Sequence, residues 1–165
     1  MPLPPSAYDY GARASGEAHG VVLTKPHVVA LILDLAGYTA DKDLAAQVLY
    51  EPACGRGAFV VPAAARLIAA ARRERRDLGD GQALAGALRA FDVDPQQVHS
   101  ARRATAELLV REGLARRVAQ RLAATWIQQA DFLLAPELPA ADYVVGNPPY
   151  VRIEQLPPPL PAEYR

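Results

Sequence analysis

One cysteine, Cys54, stands among the 165 residues, so no internal disulfide can form and the chain is compatible with a reducing cytoplasm. The 18 acidic and 18 basic residues cancel, which leaves no overall attraction to a phosphate backbone. Any grip on nucleic acid must be local or supplied elsewhere. No apolar run reaches the roughly 18 residues of a membrane-spanning helix. The best stretch, Ala58 to Ala71, is broken by Pro62 and Arg66, and no secretory leader is apparent. A soluble, cytoplasmic chain without membrane attachment is expected. The three histidines, His19, His27 and His99, have no cysteine or carboxylate at metal-ligand spacing, so no metal site is expected. A chain of 165 residues leaves room for one domain with one core.

Apolar and turn-forming segments alternate along the chain. Residues 1–16 carry Pro, Gly and Ser and read as a loose arm; residues 17–156 read as the domain, and 157–165 as a Pro-rich tail. Thr24 is placed to cap a helix with Pro26 in its first turn, and Gly37 is its expected stop. A strand is expected at about Gln47 to Tyr50, a helix from Ala58 to Arg76 and a strand from Leu88 to Val93. Pro95 opens a helix to about Arg111, with Asp94 as its N-cap, and a further helix covers about Leu114 to Ala124. Strands follow at Trp126 to Gln129 and Tyr143 to Val145. Strands separated by helices predict an α/β sandwich around a parallel sheet.

Two segments carry chemistry. The first is Glu51-Pro52-Ala53-Cys54-Gly55-Arg56-Gly57, in which a short apolar strand ends at an acid and a Gly-x-Gly turn leads into an Ala-rich helix. Glycines there let backbone pass close to a ligand, at the carboxyl edge where open α/β sheets bind. The third glycine of the dinucleotide fingerprint is missing, since position 60 is Val, and Glu51 would face a pyrophosphate with like charge. A cationic or amino-bearing ligand suits the turn better. The second segment is Asn147-Pro148-Pro149-Tyr150 after the apolar Tyr143-Val144-Val145 and Gly146, read as a short buried strand. Two prolines cannot continue a central strand, so the chain must leave the sheet at Asn147. The Asn147 side chain and the Pro148 carbonyl then offer two acceptors beside the Tyr150 ring, suited to a planar base with an exocyclic amino group. A third feature is Phe91-Asp92-Val93-Asp94: a carboxylate at the tip of the second strand can take both hydroxyls of a ribose, and Asp92 is assigned that contact.

Taken in this order, the Glu51 turn and the Asn147-Pro148-Pro149-Tyr150 turn resemble the gamma group of S-adenosylmethionine-dependent DNA adenine-N6 methyltransferases of restriction–modification systems. The resemblance covers roughly residues 17–156, with Gly20-Val-Val-Leu-Thr24-Lys-Pro26 in the place of the family's N-terminal cofactor motif; Lys25 departs from the usual Thr-Pro-Pro. It implies a Rossmann-like class I methyltransferase sandwich, incomplete because it ends after strand four. Thr24, Glu51, Ala53, Gly55, Gly57, Asp92, Val93, Asp131 and Phe132 would then bind S-adenosylmethionine. Val93 would pack on the adenine face, Asp131 would accept from its amino group and Phe132 would flank its ring, core packing being the other reading of Phe132. Asn147, Pro148 and Tyr150 would be catalytic, the two acceptors drawing the target N6 toward the methyl and Tyr150 stacking on a flipped base.

The resemblance also sets expectations about partners. Double-stranded DNA would be gripped through a recognition region absent from the chain, and a complementary chain could complete the sheet. The 165 residues alone are expected not to methylate DNA. Other readings are half of a split enzyme, a non-catalytic cofactor-binding remnant, and a protein-glutamine or RNA amino methyltransferase. The arginines of the helices, among them Arg72, Arg73, Arg75, Arg76, Arg102, Arg103, Arg116, Arg117 and Arg121, read as helix ends and solvated faces, whereas Arg152 is a candidate for a DNA or structural contact.

Overall fold

A computed structural model describes residues 24–135 and 138–147. Pro148, Tyr150, Arg152, the arm and the tail lie outside these residues. Strands β1 (Leu49–Glu51), β2 (Leu88–Asp92), β3 (Ile127–Gln129) and β4 (Tyr143–Val144) form one sheet in the order β3-β2-β1-β4. All three pairings are parallel, with Leu49 opposite both Leu88 and Tyr143, and Ala90 opposite Ile127. Four helices accompany them among the described residues: α1 (Pro26–Leu35), α2 (Val60–Arg73), α3 (Pro95–Arg111) and α4 (Arg116–Trp126). The expected α/β class and parallel sheet are therefore present.

Sequence pattern accounts for each layer. All three residues of β1 are buried, as a strand with neighbours on both edges requires. In α2 the buried residues Val60, Ala63, Ala64, Leu67, Ile68, Ala70 and Ala71 recur at helical spacing. Burial of a side chain such as Leu67 or Ile68 contributes about 1.5–3 kcal/mol, an upper value because the unfolded chain is itself partly collapsed. Helix α3 begins where expected: the Gln96 N–H donates to Asp94 Oδ1 at 2.7 Å, and Pro95 follows the cap.

Three local expectations are corrected. Lys25, not Thr24, occupies the N-cap position of α1, and no side chain caps that end; Thr24 stands one residue too early to reach the first-turn amides. Trp126 ends α4 rather than opening β3, because its indole N–H, fully buried, donates to the Leu84 carbonyl at 3.1 Å. Strand β4 is not buried throughout: Val145 is 5% exposed but Val144 is 63% exposed, as β4 has no outer neighbour among the described residues.

Helix α1 packs on the core through Val29 and Leu33, and Arg66 of α2 adds polar ties to it. Arg66 donates to the carbonyls of Tyr38 and Ala30, at 2.9 and 3.2 Å, and pairs with Asp34 at 2.7 Å. Tyr38 and Tyr143 meet edge to face at 5.1 Å, and the Tyr143 hydroxyl donates to Gln47 Oε1 at 3.1 Å. These contacts pack the residues that follow α1 against the start of β4.

Candidate functional site

The carboxyl ends of the parallel strands share one edge, and four predicted polar residues gather there. Glu51 ends β1, Asp92 ends β2, Asp131 follows β3 and Asn147 follows β4. Adjacent strand tips lie about 5 Å apart, so the row matches the span of a small elongated ligand.

The glycine turn is built on this edge by hydrogen bonds from β2. The Cys54 N–H donates to the Phe91 carbonyl at 2.8 Å, and the Gly55 N–H donates to Asp92 Oδ2 at 2.8 Å. Asp92 Oδ1 accepts from the Asp94 N–H at 2.9 Å. Asp92 thus ties the turn to the start of α3, and its side chain is half-buried, with each carboxylate oxygen able to accept a further bond. That structural duty has no signal in the sequence, because nothing local joins positions 55 and 92.

The two glycines of the turn have different tasks. Gly57 has φ +92°, and a Cβ there would stand 3.4 Å from the Ala101 backbone of α3. It lets helix and turn pack closely. Gly55 has φ +51°, with nothing within 4 Å of a built Cβ. It leaves open space over the turn, which is where a ligand would approach. Ala53 and Val93 are half-buried beside the same turn and strand tip.

Glu51 is the most strained electrostatic feature of the edge. It is 1% exposed, and its Oε2 has no hydrogen-bond partner among the described residues. Burial, with a smaller contribution from the nearby Asp92 charge, raises its carboxyl well above the usual carboxylate range. The Gly146 backbone passes over it, with a built Cβ 3.8 Å from Glu51 Cγ. An orphaned, buried carboxyl oxygen beside an open glycine turn fits a donor from an amino or hydroxyl group of a cofactor. The Cys54 thiol is pushed up as well, by burial first and then by Glu51 and Asp92. It is a packing residue, not a nucleophile.

A prediction arises from Glu51. Its folded pKa lies above the unfolded value, so the folded state holds the proton more tightly. Stability is complete below the ordinary carboxylate range and falls as pH rises toward the raised value. Glu51→Gln keeps the shape without the charge. In thermal melts it should stabilise the free protein by about 1–3 kcal/mol at alkaline pH, the scale of a buried group left unpaired, and leave acid stability unchanged. A variant no more stable at high pH would show that Glu51 is not held against ionisation.

Asp131 and Phe132 lie at the far end of the row. Asp131 Oδ1 accepts from the Leu133 N–H at 3.0 Å, capping a short 3₁₀ turn. The Phe132 ring joins Phe91 and Tyr50, with centroids 5.4 and 6.4 Å away. Its packing role is therefore plain, and the side chain remains half-buried. At the near end, Asn147 Nδ2 donates to Thr24 Oγ1 at 3.2 Å. Thr24 and Asn147, 123 positions apart, meet at one point.

A concavity of about 670 Å³ lies between α3 and α4 and includes His99, Arg103, Arg111 and Arg116. None of Glu51, Asp92, Asp131 or Asn147 lines it. The strand-tip row, with its convergent polar groups, is the better candidate site.

Comparison with known proteins identifies a family for the chain. The family described as N-6 DNA Methylase matches residues 8–155. The chain is 46% identical over 149 residues to the Type II methyltransferase M.PaeR7I of Pseudomonas aeruginosa, covering 90% of this chain and 26% of the relative. It is 42% identical over 150 residues to the Type II methyltransferase M.XhoI of Xanthomonas vasicola, covering 90% and 28%. With the Type II methyltransferase M.BstVI of Geobacillus stearothermophilus it shares 38% over 152 residues, covering 89% and 27%. The chain thus spans about a quarter of the length of these relatives. No solved structure matches.

Proposed function

The chain belongs to the N-6 DNA methylase family, and from that premise we propose that it takes part in transfer of a methyl group from S-adenosylmethionine to adenine N6 in double-stranded DNA. Its context is a site-specific methyltransferase of the restriction–modification type, acting in the cytoplasm. No helix among the described residues is long and apolar enough to cross a membrane. The observation that carries the reading is the convergence at one sheet edge of a buried unpartnered carboxyl, Glu51, an open glycine turn at Gly55 and the amide of Asn147.

Residues 17–156 are the unit we assign to this task. Glu51, Ala53, Gly55 and Gly57 would hold the amino-acid part of the cofactor, Asp92 its ribose, and Val93, Asp131 and Phe132 its adenine. S-adenosylmethionine supplies a methyl on a sulfonium, so the leaving group needs no further activation. The protein's part is positioning. The N6 lone pair of adenine is delocalised into the ring, and accepting its hydrogens at Asn147 and at the Pro148 carbonyl would localise that pair toward the methyl. Tyr150 would stack on the base once it leaves the duplex.

A second reading has its own support. Val144 is 63% exposed, and Leu31 and Leu35 of α1 are 55% and 79% exposed. A complementary chain or segment against β4 would cover Val144, as in half of a split enzyme, and a cofactor-binding piece without catalysis fits the same surfaces. The experiment that separates these readings incubates the protein with methyl-labelled cofactor and duplex DNA, with and without candidate complementary segments. N6-methyladenine in the digested DNA supports the proposal. Label on protein or RNA would overturn it, and cofactor binding without any transfer would favour the binding-only reading.

A further inference from the structure

The Asn147 amide can face the reaction in two ways, and only one presents an acceptor. The geometry points to Thr24 as the residue that selects it: a positioning residue whose hydroxyl holds Asn147 Nδ2 and so turns the carbonyl oxygen, Oδ1, toward the target amino group. This inference rests on the proposed reading of Asn147 as an acceptor.

A primary amide carries two donors on nitrogen and two acceptor sites on oxygen, pointing in opposite senses about one bond. A flip about that bond would place Nδ2 where the target amino group must donate, and two donors would face each other. In the structure Nδ2 donates to Thr24 Oγ1 at 3.2 Å, and both side chains are half-buried. Thr24 caps no helix, since Lys25 holds that position without a side-chain bond. Its hydroxyl is free for Asn147. Its location is set from a distance, because Arg66 fastens α1 to α2 through the Ala30 and Tyr38 carbonyls and Asp34.

A hydroxyl both donates and accepts, so Thr24 alone selects the amide orientation weakly. The selection sharpens when another acceptor takes the Thr24 proton, for then Oγ1 can only accept from Nδ2. S-adenosylmethionine carries a carboxylate able to take that proton. Cofactor occupancy would then lock Asn147 in its accepting orientation before the base arrives.

The test uses a feature of the chain: Asn147 is its sole asparagine, so ¹⁵N-asparagine labelling gives a single side-chain NH₂ pair in the NMR spectrum. In the free 165-residue chain, hydrogen exchange of that pair should quicken about tenfold in Thr24→Val, the scale of one ordinary hydrogen bond. It should stay within about twofold of wild type in Thr24→Ser, which keeps the hydroxyl. Backbone amides of β1, followed in uniformly ¹⁵N-labelled samples and unchanged in all three, exclude general loosening; Thr24→Ala replaces the valine variant should the latter fail to fold. Adding S-adenosylhomocysteine should slow the pair further in wild type and Thr24→Ser but not in Thr24→Val. Equal exchange in wild type and Thr24→Val overturns the inference, as does equal slowing by the ligand. Absence of any ligand binding in wild type would instead count against the proposed function, leaving the exchange comparison in the free protein to decide the role of Thr24.

Discussion

Asn147→Ala is expected to lower methyl transfer to adenine N6 by about 10²–10³, the cost of removing one preorganised polar partner from a reacting centre. The side chain sits at the end of β4, carried there by the backbone bond from the Val145 N–H to the Tyr50 carbonyl at 2.9 Å. Alanine keeps that backbone and deletes only the amide. Thermal stability should therefore change little, because the lost bond to Thr24 lies at a half-buried edge rather than in the core. Cofactor affinity should stay within about threefold, below 1 kcal/mol, since the proposed cofactor contacts lie at the ends of β1, β2 and β3 rather than on Asn147. Single-turnover transfer to duplex DNA, with a complementary segment supplied where required, measures the first quantity, and calorimetry the second. Transfer at the wild-type rate would remove Asn147 from the reaction.

Asp92→Ala is the second large effect. The change strands two backbone donors at once, the Gly55 and Asp94 N–H groups. It also removes one of the causes that raise Glu51. Binding of S-adenosylmethionine should weaken by at least about 1–3 kcal/mol, and the fold should lose a comparable amount, since each stranded donor carries a desolvation cost. Turn-holding and ribose contact can be told apart. An S-adenosylhomocysteine analogue lacking both ribose hydroxyls should bind wild type more weakly than its parent, yet bind Asp92→Ala no more weakly than the parent does. If the analogue loses equal affinity in both proteins, Asp92 only holds the turn, and the ribose must be bound elsewhere. Undiminished affinity of Asp92→Ala for the parent ligand would show that neither the ribose contact nor the held turn contributes to binding.

Short-range signals were legible along the chain by themselves. The cap at Asp94 and helix α3 from Pro95 to Arg111 could be read because a side chain bonding two residues onward and a proline with preset φ act locally. The alternation of strand and helix, and with it the parallel sheet, could be read from apolar spacing in α2 and from the buried runs at β1 and β2. The glycine turn and the residues Asn147-Pro148-Pro149-Tyr150 indicated the family through their order alone, a conclusion the match over residues 8–155 supports.

Long-range contacts were decided only in three dimensions. Thr24 resembles a helix cap by composition, but Lys25 takes that position and Thr24 meets Asn147 instead, 123 residues away. Trp126 has the composition of a strand start, yet a carbonyl at Leu84, 42 positions back, draws its indole into the last turn of a helix. Asp92 proved to be a backbone acceptor for a turn 37 residues upstream. Glu51 was visible as an acid at a strand tip, but its resistance to ionisation comes from what covers it: the sheet around β1, the Gly146 backbone above it and the Asp92 charge beside it. Desolvation and hydrogen bonding depend on which atoms surround a group, and the order of residues determines that only through the folded chain.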